Sequence, residues 1–413
     1  MAEPAAPPYR PSDELHLWWL GQPAQPVHVG TLRTVRTLRG VSLRYGADWL
    51  ARGFALSEDL PLIDQEFLPQ ERDTAAGAVD DARPDRWGER VIRVIDKPPR
   101  LSLLEYLYFA GDDRFGALGV STSSERYLPR RVGPLPSLKD AADIQQLIRR
   151  LLANEAIPEA EKRLLAPGVS MGGVRPKALV GIGADQWVLK FADGDAVDTP
   201  LIEHASMTLA AKAGIRVADT KAVRLADGHA VAVRRFDRAG PARRHALTAN
   251  VALKAAGETP GYPELAQLLR RRGVAAGGAN LAQMRELFRR MVFNILIDNT
   301  DDHEKNHVLL VDDAQQFALS PAFDVLPSGQ ALGYQQMRVG ESEADSTLVN
   351  ALSMGTLFGL NRNAAQREIA AVASVVTQWK KHFAACGVSR HDIDALAEQI
   401  DRPFLREQRE EYA

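Results

Sequence analysis

Between residues 281 and 324 the chain changes character three times, and each change limits what can be built around it. Leu281, Met284, Leu287, Phe288, Met291, Val292, Ile295 and Leu296 recur at the three-and-four spacing of a helix with one buried stripe. Asn280, after a Gly-Gly-Ala run, is the expected N-cap. The apolar pattern then stops. Asn299-Thr300-Asp301-Asp302-His303-Glu304-Lys305-Asn306 crowds proton- and metal-binding groups into one loop. A strand over Val308 to Val311, a turn at Asp312-Asp313 and a return strand over Phe317 to Leu319 follow, and the chain then delivers Phe323-Asp324-Val325.

The spacing of the loop says more than its acidity. Asp301 and Asn306 stand five positions apart. Kinase catalytic loops put that interval between the aspartate that takes the hydroxyl proton and the asparagine that holds magnesium. Asp324, eighteen positions beyond Asn306 and past the hairpin, falls where a second metal-binding aspartate is expected. Oxygen ligands of this kind suit magnesium, which takes a few protein carboxylates and completes its shell with phosphate oxygens and water. A lone acidic loop at a helix end is more often a solvated turn. The succession of helix, polar loop, hairpin and second aspartate is what speaks against that here.

The rest of the chain bounds the problem. At 413 residues it has room for two or three domains, and 45% hydrophobic with 25% charged residues is ordinary globular composition. A net charge of −2 gives no general attraction to nucleic acid or anionic membrane. Cys386 is the single cysteine, which excludes an internal disulfide and a cysteine-based zinc site. The first twelve residues lack the basic start and apolar core of a signal peptide. No apolar run approaches the roughly eighteen residues of a membrane span. A cytoplasmic protein without membrane contact is the expectation.

Four segments are expected in order: a tail over 1–12, an N-terminal module over 13–157, a nucleotide-binding part over 158–238 and a mainly helical part over 239–413. LHLWWLG, PVHVGTL and GVSLRY predict a small antiparallel sheet. Its Arg33, Arg36, Arg39 and Arg44 read better as a solvated face than as a nucleic-acid surface. The run Asp80 to Arg90 predicts a turn feeding a helix. Gly168 to Lys177 is a glycine-containing loop before a hairpin whose second strand, WVLKF, carries Lys190. Backbone N–H groups approach phosphates where side chains are absent, and a lysine reaches their oxygens. The loop matches neither standard phosphate motif, so alone it reads better as a plain surface loop. Thr199-Pro200 predicts a helix start and Gly214 its end. Glu203 in that first turn either pairs with Lys190 or favours the helix dipole, the second being the simpler reading. Asp227-Gly228 marks a hairpin whose second strand ends at Arg234-Arg235-Phe236-Asp237-Arg238. Helices are expected from about Asn363 to Cys386 and from about His391 to Ile400. No hydrolase motif and no paired-histidine metal spacing is present, and His303 is read as the one histidine inside a cluster.

Four blocks together resemble the HipA family, the serine/threonine-kinase toxins of bacterial toxin–antitoxin pairs: Ser170 to Lys177, WVLKF, Arg235-Phe236-Asp237-Arg238, and TDDHEKN followed by FDV. The run Asp-x-x-Pro-Asp-x-Trp-Gly from Asp81 extends the likeness into the N-terminal module. The resemblance implies an α+β, bilobed, protein-kinase-like fold with a small N-terminal β-containing subdomain and a mainly helical C-terminal lobe. It implies ATP and Mg2+ as cofactors, Asp301 as the catalytic aspartate, and Asn306 and Asp324 as magnesium ligands. It implies nucleotide contacts from Gly172, Gly173, Val174, Arg175, Pro176, Lys177 and Lys190, from Arg234, Arg235 and Phe236, and from His303, Glu304, Lys305, Asn306, Phe323 and Asp324. Ser170 matches a serine that family members autophosphorylate. Implied partners are a HipB-like helix-turn-helix antitoxin, DNA only through that antitoxin, and a protein acceptor of Ser/Thr type, which in some members is an aminoacyl-tRNA synthetase. A kinase-shaped scaffold with little turnover and a small-molecule kinase are the alternatives. Two departures stand out. Asp302 replaces a common glycine, which predicts repulsion beside the base, and Arg234 replaces a common acidic residue.

Overall fold

A computed structural model describes residues 9–130, 133–165 and 173–412. Contacts divide the chain into two units, one of Met1–Lys190 with Asp237–Leu247 and one of Phe191–Phe236 with Thr248–Ala413.

The first unit begins with the expected sheet. Strands β1 (Glu14–Trp19), β2 (Val27–Val35) and β3 (Gly40–Tyr45) pair antiparallel, and β4 (Glu66–Phe67) and β5 (Leu118–Ser121) complete the order β4-β3-β2-β1-β5. Leu15, Leu17, Leu32, Val41 and Leu43 are buried, as alternation requires. Each of the four arginines meets a carboxylate: Arg33 with Glu14, Arg36 with Asp13, Arg39 with Asp73 and Arg44 with Asp64. The basic stretch is therefore a charge-balanced, solvated face. Helices Arg86–Ile95, Leu103–Phe109 and Ala141–Leu152 follow. The hairpin of Lys177–Ile182 with Asp185–Phe191 sets Lys177 directly opposite Lys190.

The separate stretch 237–247 is fastened to this unit by charged groups on backbone atoms. The Asp237 carboxylate accepts the Gly116 N–H at 2.9 Å, and Arg238 donates to the carbonyls of Gly116 and Arg114. His245 Nε2 donates to Leu56 O at 2.7 Å, between the rings of Trp19 and Phe54. Buried arginine also serves as a joint within the unit: Arg114, with no exposed surface, donates to the carbonyls of Ala82, Leu107 and Gly111.

In the second unit, helix Thr199–Lys212 is closed by Gly214 at φ +74°, as expected, but its cap is Asp198 rather than Thr199. The hairpin Thr220–Arg224 with His229–Arg234 turns at Asp227-Gly228. Helix Ala279–Leu296 starts at Gly278, whose left-handed backbone supplies the reversal. Asn280 lies inside the helix and is not its cap. Leu281 belongs outside the buried stripe, at 51% exposure. The single helix expected over 363–386 is two, Arg362–Val376 and Trp379–Ala385, before Arg390–Ile400 and Pro403–Tyr412. Among the described residues no helix is long and apolar enough to cross a membrane.

His245 gives this fold a pH dependence. Burial penalises the imidazolium and pushes its pKa from 6.5 down to about 4, against the opposing pull of the Leu56 carbonyl. Between those values the unfolded chain takes up a proton that the native chain refuses, so stability falls as pH falls. The interval is worth on the order of 3 kcal/mol at about 1.36 kcal/mol per pH unit. Urea unfolding at pH 7 and pH 4 should show this loss in the wild type, and His245→Phe should remove that part of it.

Candidate functional site

The polar loop after helix Ala279–Leu296 is held by its own backbone and by neighbours on three sides. Asn299 N donates to Asn294 O and Asn299 Nδ2 to Asn294 Oδ1, so the first step out of the helix is tied back to its last turn. Asp298 adopts a left-handed backbone (φ +58°), with its buried carboxylate accepting from Arg402 at 2.9 Å. Thr300 Oγ1 meets Ser328 Oγ at 2.6 Å. The chain then sends consecutive side chains in opposite directions. Asp301 is exposed, whereas Asp302 is 2% exposed and accepts hydrogen bonds from the Tyr262 hydroxyl and from His307 Nε2 (2.7 Å). Asn294 Nδ2 donates in turn to the Tyr262 hydroxyl.

Burial alone would push the Asp302 carboxyl up, but His307 beside it and the Tyr262 hydroxyl outweigh that and hold it below the usual range. Burial and the same carboxylate push the Tyr262 phenol well up, which keeps its proton in place to be donated. Asp302 therefore contributes stability above about pH 4 that is lost as acid protonates it below that value. The expected repulsion between Asp302 and Asp301 gives way to a different arrangement: the Asp302 charge is turned inward and met by two donors.

Beyond Asp302 a short 3-10 turn, Glu304–Asn306, closes with Asn306 N on His303 O. His303, Glu304 and Lys305 are half-buried, and Asn306 is buried. His303 is not the one histidine in the cluster: it acts on the Asp302 charge, and His307, one residue past Asn306, joins it by a hydrogen bond to the same carboxylate. The strands Val308–Val311 and Phe317–Leu319 form the expected hairpin. The return is pinned by Ala322 N on Arg216 O and Ala218 N on Ala322 O, and Asp324 follows in the left-handed region (φ +58°). A small cavity lies behind the loop, lined by Arg290, Asn294, Asp302, Asn306, His307 and Phe323 among others. Asn306 and the residue preceding Asp324 thus face one space. Phe236 lies against Phe323, with ring centroids 5.3 Å apart. Arg235 is buried, whereas Arg234 is exposed and paired with Asp219 at 3.2 Å.

The remaining expected residues lie in the first unit. Gly173 has φ +83°, and a Cβ there would sit 2.7 Å from Lys177 Nζ. Val174 is exposed, Arg175 half-buried and Pro176 buried, while Lys177 faces Lys190 across the hairpin. Ser170 and Gly172 fall outside the described residues. Sequence reasoning missed Tyr262, Arg290, Asn294 and His307. A signal was present for two of them: Arg290 and Asn294 are polar residues on the helix face shared with Leu287 and Met291, and both are buried.

Residues 169–379 match the family model described as the HipA-like C-terminal domain, and residues 24–121 match the HipA N-terminal domain. Among solved structures, the chain is similar to HipA of the Shewanella oneidensis MR-1 toxin–antitoxin system, in complex with HipB and its operator DNA. That match has 19% identity and a TM-score of 0.67, covering 96% of this chain and 97% of the other. A match to the Helicobacter pylori proinflammatory kinase CtkA has 11% identity and a TM-score of 0.41, over 56% and 90% of the two chains. Among curated proteins, the putative kinase Y4dM of Sinorhizobium fredii (strain NBRC 101917 / NGR234) is 31% identical over 156 residues, 34% of this chain. The match spans 37% of that relative's length.

Asp302→Ala should leave two buried donors without their acceptor and cost about 3 kcal/mol or more. Asp302→Asn, which keeps an acceptor oxygen, should cost less. Urea midpoints of the two variants at pH 7 measure the difference.

Proposed function

This chain belongs to the HipA family, and from that premise we propose that it is a serine/threonine protein kinase of a toxin–antitoxin pair, transferring the ATP γ-phosphoryl group. The observation that carries the reading is the loop itself. It exposes Asp301 and anchors Asp302, and it turns Asn306 toward the space that Phe323 also lines. Asp301 orients an acceptor hydroxyl and takes its proton. Lys190 and Lys177 offer ammonium groups to phosphate oxygens, and Phe236 offers an apolar ring to the adenine.

The donor set fits magnesium. Asn306 and Asp324 supply an amide oxygen and a carboxylate, hard oxygen ligands few enough to leave room for phosphate and water. When bound, the ion would offset charge developing on the transferred phosphoryl group. Ser170 is the proposed autophosphorylation site. A dianion there would be repelled by ATP phosphates and would shut the enzyme off. The Shewanella HipA is solved with HipB and operator DNA, which supports a HipB-like antitoxin as partner here, with DNA reached through it.

Incubating the purified chain with γ-labelled ATP and magnesium should label Ser170 in the wild type. Asp301→Ala should lower labelling at least about a hundredfold while leaving nucleotide binding and the thermal midpoint intact. Undiminished labelling by that variant would remove Asp301 from its role. Tight nucleotide binding without any turnover would favour the scaffold.

A further inference from the structure

Asp85 stands at the N-cap of helix Arg86–Ile95, yet its side chain makes no capping hydrogen bond. An aspartate there ordinarily accepts an N–H of the first helical turn, an interaction whose loss is measurable. Here Asp85 Oδ2 accepts instead from Gly173 N, 88 residues away, at 2.6 Å. Two positions on, the buried Trp87 indole donates to Lys177 O at 2.8 Å. One turn of helix therefore holds both ends of the segment Gly173–Lys177.

What it holds is a demanding conformation. Gly173 sits at φ +83° with the Lys177 ammonium against its Cα, where a Cβ would collide. Lys177 is 6% exposed and pairs directly with Lys190. Two cationic residues thus stand at one register position of this hairpin.

We propose that Asp85 is a positioning residue for the phosphate-binding segment, which rests on the kinase reading above. Its carboxylate fixes the Gly173 amide and with it the approach of Lys177 to Lys190, so that both ammonium groups point at a nucleoside triphosphate. Asp85 does not touch the nucleotide. It acts from behind the loop, and the Gly173 N–H, already engaged, is not a phosphate donor.

The test uses the full chain with magnesium and ATP, comparing wild type, Asp85→Ala and Asp85→Asn by calorimetry, thermal midpoint and hydrogen exchange of the Gly173 amide. Asp85→Ala should speed exchange at Gly173 and weaken ATP roughly tenfold with little change in midpoint. Asp85→Asn, whose amide oxygen still accepts, should recover most of the affinity. Equal ATP affinity in wild type and Asp85→Ala overturns the proposal alone. A wild type that binds no nucleotide overturns the kinase reading and the proposal with it. A parallel fall of affinity and midpoint in both variants would reduce Asp85 to a structural residue.

Discussion

The Asp302 carboxylate is taken out of water, and a buried charge is tolerated only where donors surround it. Tyr262 and His307 supply those donors, and Asn294 holds Tyr262. Once Asp302 is fixed inward, its neighbour Asp301 is directed to solvent and the next turn is aimed so that Asn306 faces the cavity. The chemistry proposed for the loop thus depends on a residue that performs none of it. That residue can be substituted only by one that satisfies the same two donors.

Charge is distributed in kind between the two units. The first sets Lys177 opposite Lys190 on a hairpin; in the second, Asp301 and Asn306 lie in the loop after the helix, and Asp324 lies past the following hairpin.

Much of this was legible in the sequence where short-range rules decide. The hairpin Val308–Val311 with Phe317–Leu319 lies where alternation and the Asp-Asp turn put it, and Gly214 ends its helix because only a residue at ease with positive φ can. The caps were misplaced for an equally local reason. Candidates lie within two positions of one another, and backbone geometry selects Asp198 over Thr199 and Gly278 over Asn280. The break between Arg362–Val376 and Trp379–Ala385 carries no Gly or Pro, so nothing in the string announces it. Partnerships such as Tyr262 with Asp302 and Asp85 with Gly173 link residues 40 and 88 positions apart. No periodicity encodes them, since tertiary packing alone makes them neighbours.

The stretch Asp237–Leu247 has a consequence for biosynthesis. Gly116, Arg114 and Leu56 each offer a backbone group to a side chain from it, so the first unit is not satisfied until residue 247 has left the ribosome. By then Phe191–Phe236 has already been made and must wait as a bulge while the earlier chain closes around its last piece. Cutting the gene at residue 190 to isolate an N-terminal domain would release a fragment missing its final clasp, with hydrogen-bonding groups open to the wrong neighbours.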